Sequence, residues 1–145
     1  MLALLAVPLV LAACGGGSSG SSNPTSAKYD PAHTTLKDAG LEACSESSSQ
    51  IPQSLANEPG AQNSRAFFVA KDCMGEKTSP DVAMVFQFDS KQSVDAAFAK
   101  VKTAVPNSSS EKYGPLIIVT TGPSREANLA AIDQALQKTY PTSTS

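Results

Sequence analysis

Twelve apolar residues, Leu2 to Ala13, run without a charge into Cys14 and then into Gly15-Gly16-Gly17-Ser18-Ser19-Gly20-Ser21-Ser22. That junction limits what the chain can fold into. A membrane-spanning helix needs about 20 apolar residues, and runs of about 10 to 14 are buried helices or the apolar cores of signal peptides. A buried helix is disfavoured by the adjoining Gly/Ser stretch, which neither continues a helix nor buries a face. The packed part must therefore lie beyond the stretch that ends near Ser26. About 114 residues, 28–141, remain for it. A chain of that length makes one domain with one core and buries somewhat over about 60% of its unfolded surface.

Leu11-Ala12-Ala13-Cys14 resembles a bacterial lipobox. The resemblance implies that a peptidase removes the preceding residues, that the Cys14 thiol is joined to a diacylglycerol by a thioether, and that the mature chain begins there. Two acyl chains are enough for stable attachment to a bilayer. Residues 15–27 then act as a flexible tether with a typical span of roughly 20 Å. The expected organisation is a signal peptide over 1–13, lipidated Cys14 and tether over 14–27, one globular domain over 28–141 and a tail over 142–145. The expected address is extracytoplasmic, with the membrane as a partner through the anchor. Net charge is −2 with both signs interspersed, so composition calls for neither nucleic acid nor electrostatic membrane attachment.

With Cys14 assigned to lipid, Cys44 and Cys73 are the two cysteines left. In an oxidising compartment such a pair most often forms a structural disulfide. A redox pair or a metal pair is the alternative; against both stand the absence of Cys-x-x-Cys spacing and a single histidine in the chain.

Along the domain, Asp30-Pro31 supplies a cap and a first-turn proline, and Gly40 a stop, for a short helix over about 31–39. Residues 41–46 suggest a brief strand, and 51–64, with two prolines and Pro59-Gly60, read as loop. Ala66–Ala70 and Val82–Phe88 are rich in aromatic and β-branched residues and suggest two antiparallel strands. In the second, Val82, Met84, Phe86 and Phe88 share a face by the period of two, and that face is expected inward. Asp89-Ser90, with Asp89 and Gln92 at capping-box spacing, opens an amphipathic helix over about 90–104. Pro106-Asn107-Ser108-Ser109-Ser110 ends it. Leu116-Ile117-Ile118-Val119 reads as a buried strand central to the sheet. A last helix carries Leu129, Ile132, Leu136 and Tyr140 on one stripe and stops at Pro141.

The fold class expected is α+β: one small, mostly antiparallel or mixed sheet with helices mainly on one face, as in ferredoxin-like or related open-faced sandwiches. If the Val82 and Leu116 strands lie parallel, the helix between them crosses over right-handed. Phe67, Val69, Met84, Phe86, Phe88, Phe98, Val101, Ile117, Val119, Leu129, Ile132 and Leu136 are expected to share one hydrophobic cluster.

Four segments, Gly40–Cys44, Ala66–Cys73, Phe88–Ser90 and Leu116–Pro123, together resemble small lipoproteins of Gram-positive bacteria. This resemblance covers most of the domain and implies no activity to carry over.

Chemistry is sparse. His33 sits in the first turn of a helix as a solvated residue, and a nucleophile would have to be brought to it from elsewhere. Asp72, Asp81 and Asp89 lie near strand ends and suggest a carboxylate pair or a hard-cation site, although Asp89 is explained as a cap and the others flank a polar loop. Thr120 to Arg125 runs from a strand into a helix start, where free backbone N–H groups favour an anion; Gly122, Ser124 and Arg125 are its candidate ligands. No catalytic or metal residue is assigned, and no cofactor. The expectation is a lipid-anchored, non-enzymatic binding or interaction module whose partner is an envelope protein or a small ligand. An accessory or structural subunit of a membrane complex, or an enzyme built on carboxylates, is the alternative.

Overall fold

A computed structural model describes residues 31–140. The apolar run, Cys14, the tether, the Asp30 cap, Pro141 and the tail at 142–145 lie outside the described residues. Four helices, α1 (Pro31–Asp38), α2 (Gln53–Ala56), α3 (Lys91–Ala104) and α4 (Arg125–Leu136), accompany five strands, β1 (Glu42–Glu46), β2 (Ala61–Ala70), β3 (Val82–Phe88), β4 (Ser109–Tyr113) and β5 (Leu116–Thr121). The strands form one sheet in the order β1-β2-β3-β5-β4, and every neighbouring pair is antiparallel. The α+β class and the antiparallel sheet are as expected.

Local chemistry explains most boundaries. α1 starts at Pro31, whose missing N–H costs nothing in a first turn. It ends where Gly40, at φ +69°, turns left-handed; Gly40 N–H then reaches the Lys37 carbonyl and Leu41 N–H the Leu36 carbonyl, the pairing of a Schellman stop. α3 is capped by Ser90, whose Oγ accepts from Ser93 N–H at 3.2 Å. Asp89 does not form the expected box with Gln92; its carboxylate accepts from Ser93 Oγ at 2.8 Å.

The helices lie on both faces of the sheet rather than mainly on one. α1 and α4 cover one face, where Ala32, Leu36, Ile132 and Leu136 meet Phe67, Val69, Ala83, Val85, Leu116 and Ile118. α2 and α3 cover the other, where Leu55, Val94, Ala97 and Val101 meet Ala66, Met84, Phe86, Phe88, Ile117 and Val119. The single expected cluster is thus two. Phe67, Val69, Ile132 and Leu136, with Leu129 at the margin, belong to the first; Met84, Phe86, Phe88, Val101, Ile117 and Val119, with Phe98 at the margin, to the second. The cause is visible in β3 and β5, whose side chains are apolar at successive positions, so that both faces of the central strands demand cover.

Two strand assignments also change. β2 begins at Ala61, five residues before its apolar part, and β4, Ser-Ser-Glu-Lys-Tyr, begins inside the stretch read as the helix stop and continues through residues to which the sequence assigned no element. Because β4 intervenes in the chain, β5 returns antiparallel to β3, pairing Met84 with Val119 and Phe86 with Ile117. The parallel condition for a crossover between those two strands is therefore not met. β5 is interior, between β3 and β4, and β3 holds the centre of the sheet.

Candidate functional site

At one edge of the sheet, β1 is fastened to the loop between β2 and β3. Cys44 and Cys73 form a disulfide with Cα atoms 5.4 Å apart. Cys73 N–H donates to Glu42 Oε2 at 2.9 Å, and Ser45 Oγ donates to the Lys77 carbonyl. Arg65 on β2 forks onto Glu46 at 2.9 and 2.6 Å. This edge is strapped, with a bulge between Ala43 and Ser45 that breaks its register.

The turn from β5 into α4 does bind a carboxylate, and that carboxylate belongs to the chain itself. Asp81, only 8% exposed, accepts from Ser124 N–H at 2.7 Å. Gly122, at φ +96°, lets the turn come so close that a Cβ there would lie 2.5 Å from Asp81 Oδ1 and would press on the Pro80 carbonyl. Arg125 turns back, with Nη1 3.4 Å from the Gly122 carbonyl and Nη2 4.0 Å from Glu126. Of the three residues expected to hold an external anion, Ser124 and Gly122 thus meet an internal one, Asp81, which ties the start of β3 to the start of α4, while the Arg125 guanidinium is turned to the Gly122 carbonyl and Glu126.

The other aspartates do not converge on Asp81. Asp72 accepts from Met74 N–H at 2.8 Å in the β2–β3 loop, and Asp89 serves Ser93 past the far end of β3. Among the described residues no group of three or more His, Cys, Asp or Glu side chains is placed to hold a metal ion. His33 is exposed, as expected, with its ring edge-on to Phe67 at 4.7 Å.

The opposite edge is built differently. β4 pairs with β5 on one side, and among the described residues no strand pairs with the other. Two open grooves flank it. One, of about 480 Å³, runs between β4 and α4 and is lined by Ser109, Glu111, Tyr113, Glu126, Leu129 and Asp133, with Ala130 and Gln137. The second, of about 690 Å³, passes from the start of α3 around the β4–β5 turn to Tyr140. Tyr113, the largest fully buried side chain, reaches across with its OH donating to Asp133 Oδ1 at 2.9 Å. Burial first, and then the neighbouring Asp133 carboxylate, pushes the Tyr113 phenol well above its ordinary value. In the second groove Asp95 accepts from Lys112 Nζ at 2.5 Å and Lys91 Nζ at 2.7 Å, and those hydrogen bonds, Lys112 foremost, hold its carboxyl down at about 2.

Sequence reasoning missed this edge because Ser109–Tyr113 has no apolar alternation; its one signal is the buried aromatic Tyr113 two residues before Pro115. No protein-family model matches the chain, and no curated protein or solved structure shows significant similarity to it.

Proposed function

We propose that this is a lipid-anchored protein of the cell envelope whose folded unit is a non-enzymatic binding or interaction module. The observation that carries the reading is the apolar run closing in Leu11-Ala12-Ala13-Cys14 ahead of a Gly/Ser tether. The Cys44–Cys73 bridge supports it, because structural disulfides persist in extracytoplasmic compartments. The module part of the reading is supported by an unpaired sheet edge bordered by two open grooves, a surface suited to contact rather than to enclosing a substrate. Asp81, Asp72 and Asp89 are each engaged in holding the fold, which favours binding over carboxylate catalysis.

The test is the intact mass and N-terminal residue of the protein extracted from membranes of a Gram-positive host. A mature chain starting at a diacylglyceryl-modified Cys14 is expected, with Cys14→Ser blocking processing. An unmodified mature chain starting elsewhere overturns the anchor.

A further inference from the structure

The two edges of the sheet are treated in opposite ways, and the difference suggests a use. β1 carries a bulge, a disulfide and a side-chain hydrogen bond to the neighbouring loop, all devices that close an edge to further pairing. β4 is five residues long and ends at the two-residue turn Gly114-Pro115. Within a paired edge strand, alternate residues turn their N–H and C=O groups away from the neighbour. Tyr113 and Leu116 close the turn as partners, so Glu111 and Ser109 face β5 with their backbone, and Ser110 and Lys112 point theirs outward. Lys112 N–H is accordingly met by the adjacent Glu111 carboxylate, at 3.2 Å, and not by a strand.

A strand laid along this edge would send alternate side chains to opposite faces of the sheet, and a groove lies on each side to receive them. The groove against α4 contains three carboxylates, Glu111, Glu126 and Asp133, and no lysine or arginine among the described residues lining it; Arg125, which does not line it, stands 4.0 Å from Glu126. Leu129 and Ala130 form an apolar floor there. The groove against α3 mixes Pro115 and Tyr140 with Lys91 and Lys112, both paired to Asp95, and with the carboxylates of Asp89 and Glu111.

We propose that the outer edge of β4 receives an extended peptide segment of a partner protein as a sixth strand, with basic side chains at alternate positions over Glu111, Glu126 and Asp133 and apolar ones over Pro115 and Tyr140. A second copy of this chain is the poorer occupant. A twofold axis through the edge that keeps both faces in register sets Glu111 opposite Glu111, or shifts to pairings with fewer residues, and like charges directly opposed destabilise a pair. The proposal rests on the folded unit being a binding module and not on acylation of Cys14.

The probe is a heptapeptide alternating lysine and valine, titrated into the full-length protein in neutral detergent. Binding is expected to weaken at least fivefold between 50 and 300 mM salt and to perturb the Ser110 and Lys112 amides with slowed hydrogen exchange. A peptide alternating glutamate and valine, and the lysine peptide with its edge-facing amides N-methylated, are each expected to bind at least tenfold more weakly. Glu111→Gln/Glu126→Gln is expected to lower affinity at least fivefold with unchanged thermal unfolding. Absence of binding at millimolar peptide, equal binding of the glutamate or N-methylated peptide, or self-association of the free protein through β4 overturns the proposal. Shifts that map away from β4 overturn the surface while leaving the module reading intact.

Discussion

Removing the crosslink between Cys44 and Cys73 isolates one contribution to stability that does not depend on packing. The bridge closes a loop across a sequence separation of 29. Treating it as a restriction of the unfolded chain, with an entropy of about 2.1 plus 1.5R ln n cal/mol/K, gives about 3.6 kcal/mol at 25 °C for n near 29. Over the 110 described residues, 31–140, an unfolding entropy of about 2.1 cal/mol/K per residue turns this into a fall in Tm of about 15 °C. Cys44→Ala/Cys73→Ala tests it in the full-length protein, by guanidinium and thermal unfolding followed by circular dichroism. Reduction of the wild type in denaturant-free buffer should produce the same loss. Because Cys73 N–H still donates to the Glu42 carboxylate, the native loop should stay in place and far-ultraviolet spectra should match. A loss below about 1 kcal/mol would refute the reasoning, since the loop would then be limited in the unfolded ensemble by something other than the bridge.

Phe86→Ala is expected to cost about 3 to 5 kcal/mol and Val85→Ala a further about 1 to 3, because the two side chains are 1% and 4% exposed in different clusters; urea unfolding of the single and double variants checks both, and a neutral Val85→Ala would return the sheet to one covered face. Gly122→Ala is expected to destabilise by about 2 kcal/mol or more, since the position is left-handed and the added carbon meets Asp81 and Pro80; an unchanged unfolding midpoint would contradict the closeness of that turn. The Asp95 carboxyl is lowered by Lys112 and Lys91, so its contribution is fully present above the ordinary carboxylate range and is lost as pH falls through about 2. Carbon-detected titration of Asp95 in the wild type and in Lys112→Ala reads this directly, and a midpoint unmoved by the substitution would remove Lys112 as the main cause.

Much of the architecture is legible in the sequence because the helices and inner strands carry strong periodic signals. Val82–Phe88, Leu116–Thr121 and the helix that starts after Ser90 appear within a residue or two of their expected positions. The number of covered faces differs from expectation, although β3 holds the clue: Ala83 and Val85 are as apolar as the Met84 and Phe86 beside them. β4 escapes because an edge strand owes its place to one neighbour's backbone and needs no apolar face, so Ser-Ser-Glu-Lys-Tyr looks like a turn. At the β5–α4 turn the residue types announce an anion, but its source, Asp81, lies 43 positions before Ser124 and is brought there by the β3–β5 pairing. Long-range encounters of that kind leave no mark in local pattern. The disulfide is legible from the cysteine count together with the compartment expected from the Cys14 junction, whereas the open edge at β4 needs the strand order.

The shared central strand also bears on how the molecule comes apart. β3 supplies Ala83 and Val85 to one cluster and Val82, Met84, Phe86 and Phe88 to the other. Neither hydrophobic layer can be solvated without displacing a backbone that also walls its counterpart. Two physically separate clusters therefore behave as one cooperative unit, and the boundary between melting regions falls at the sheet's margins, not between its faces.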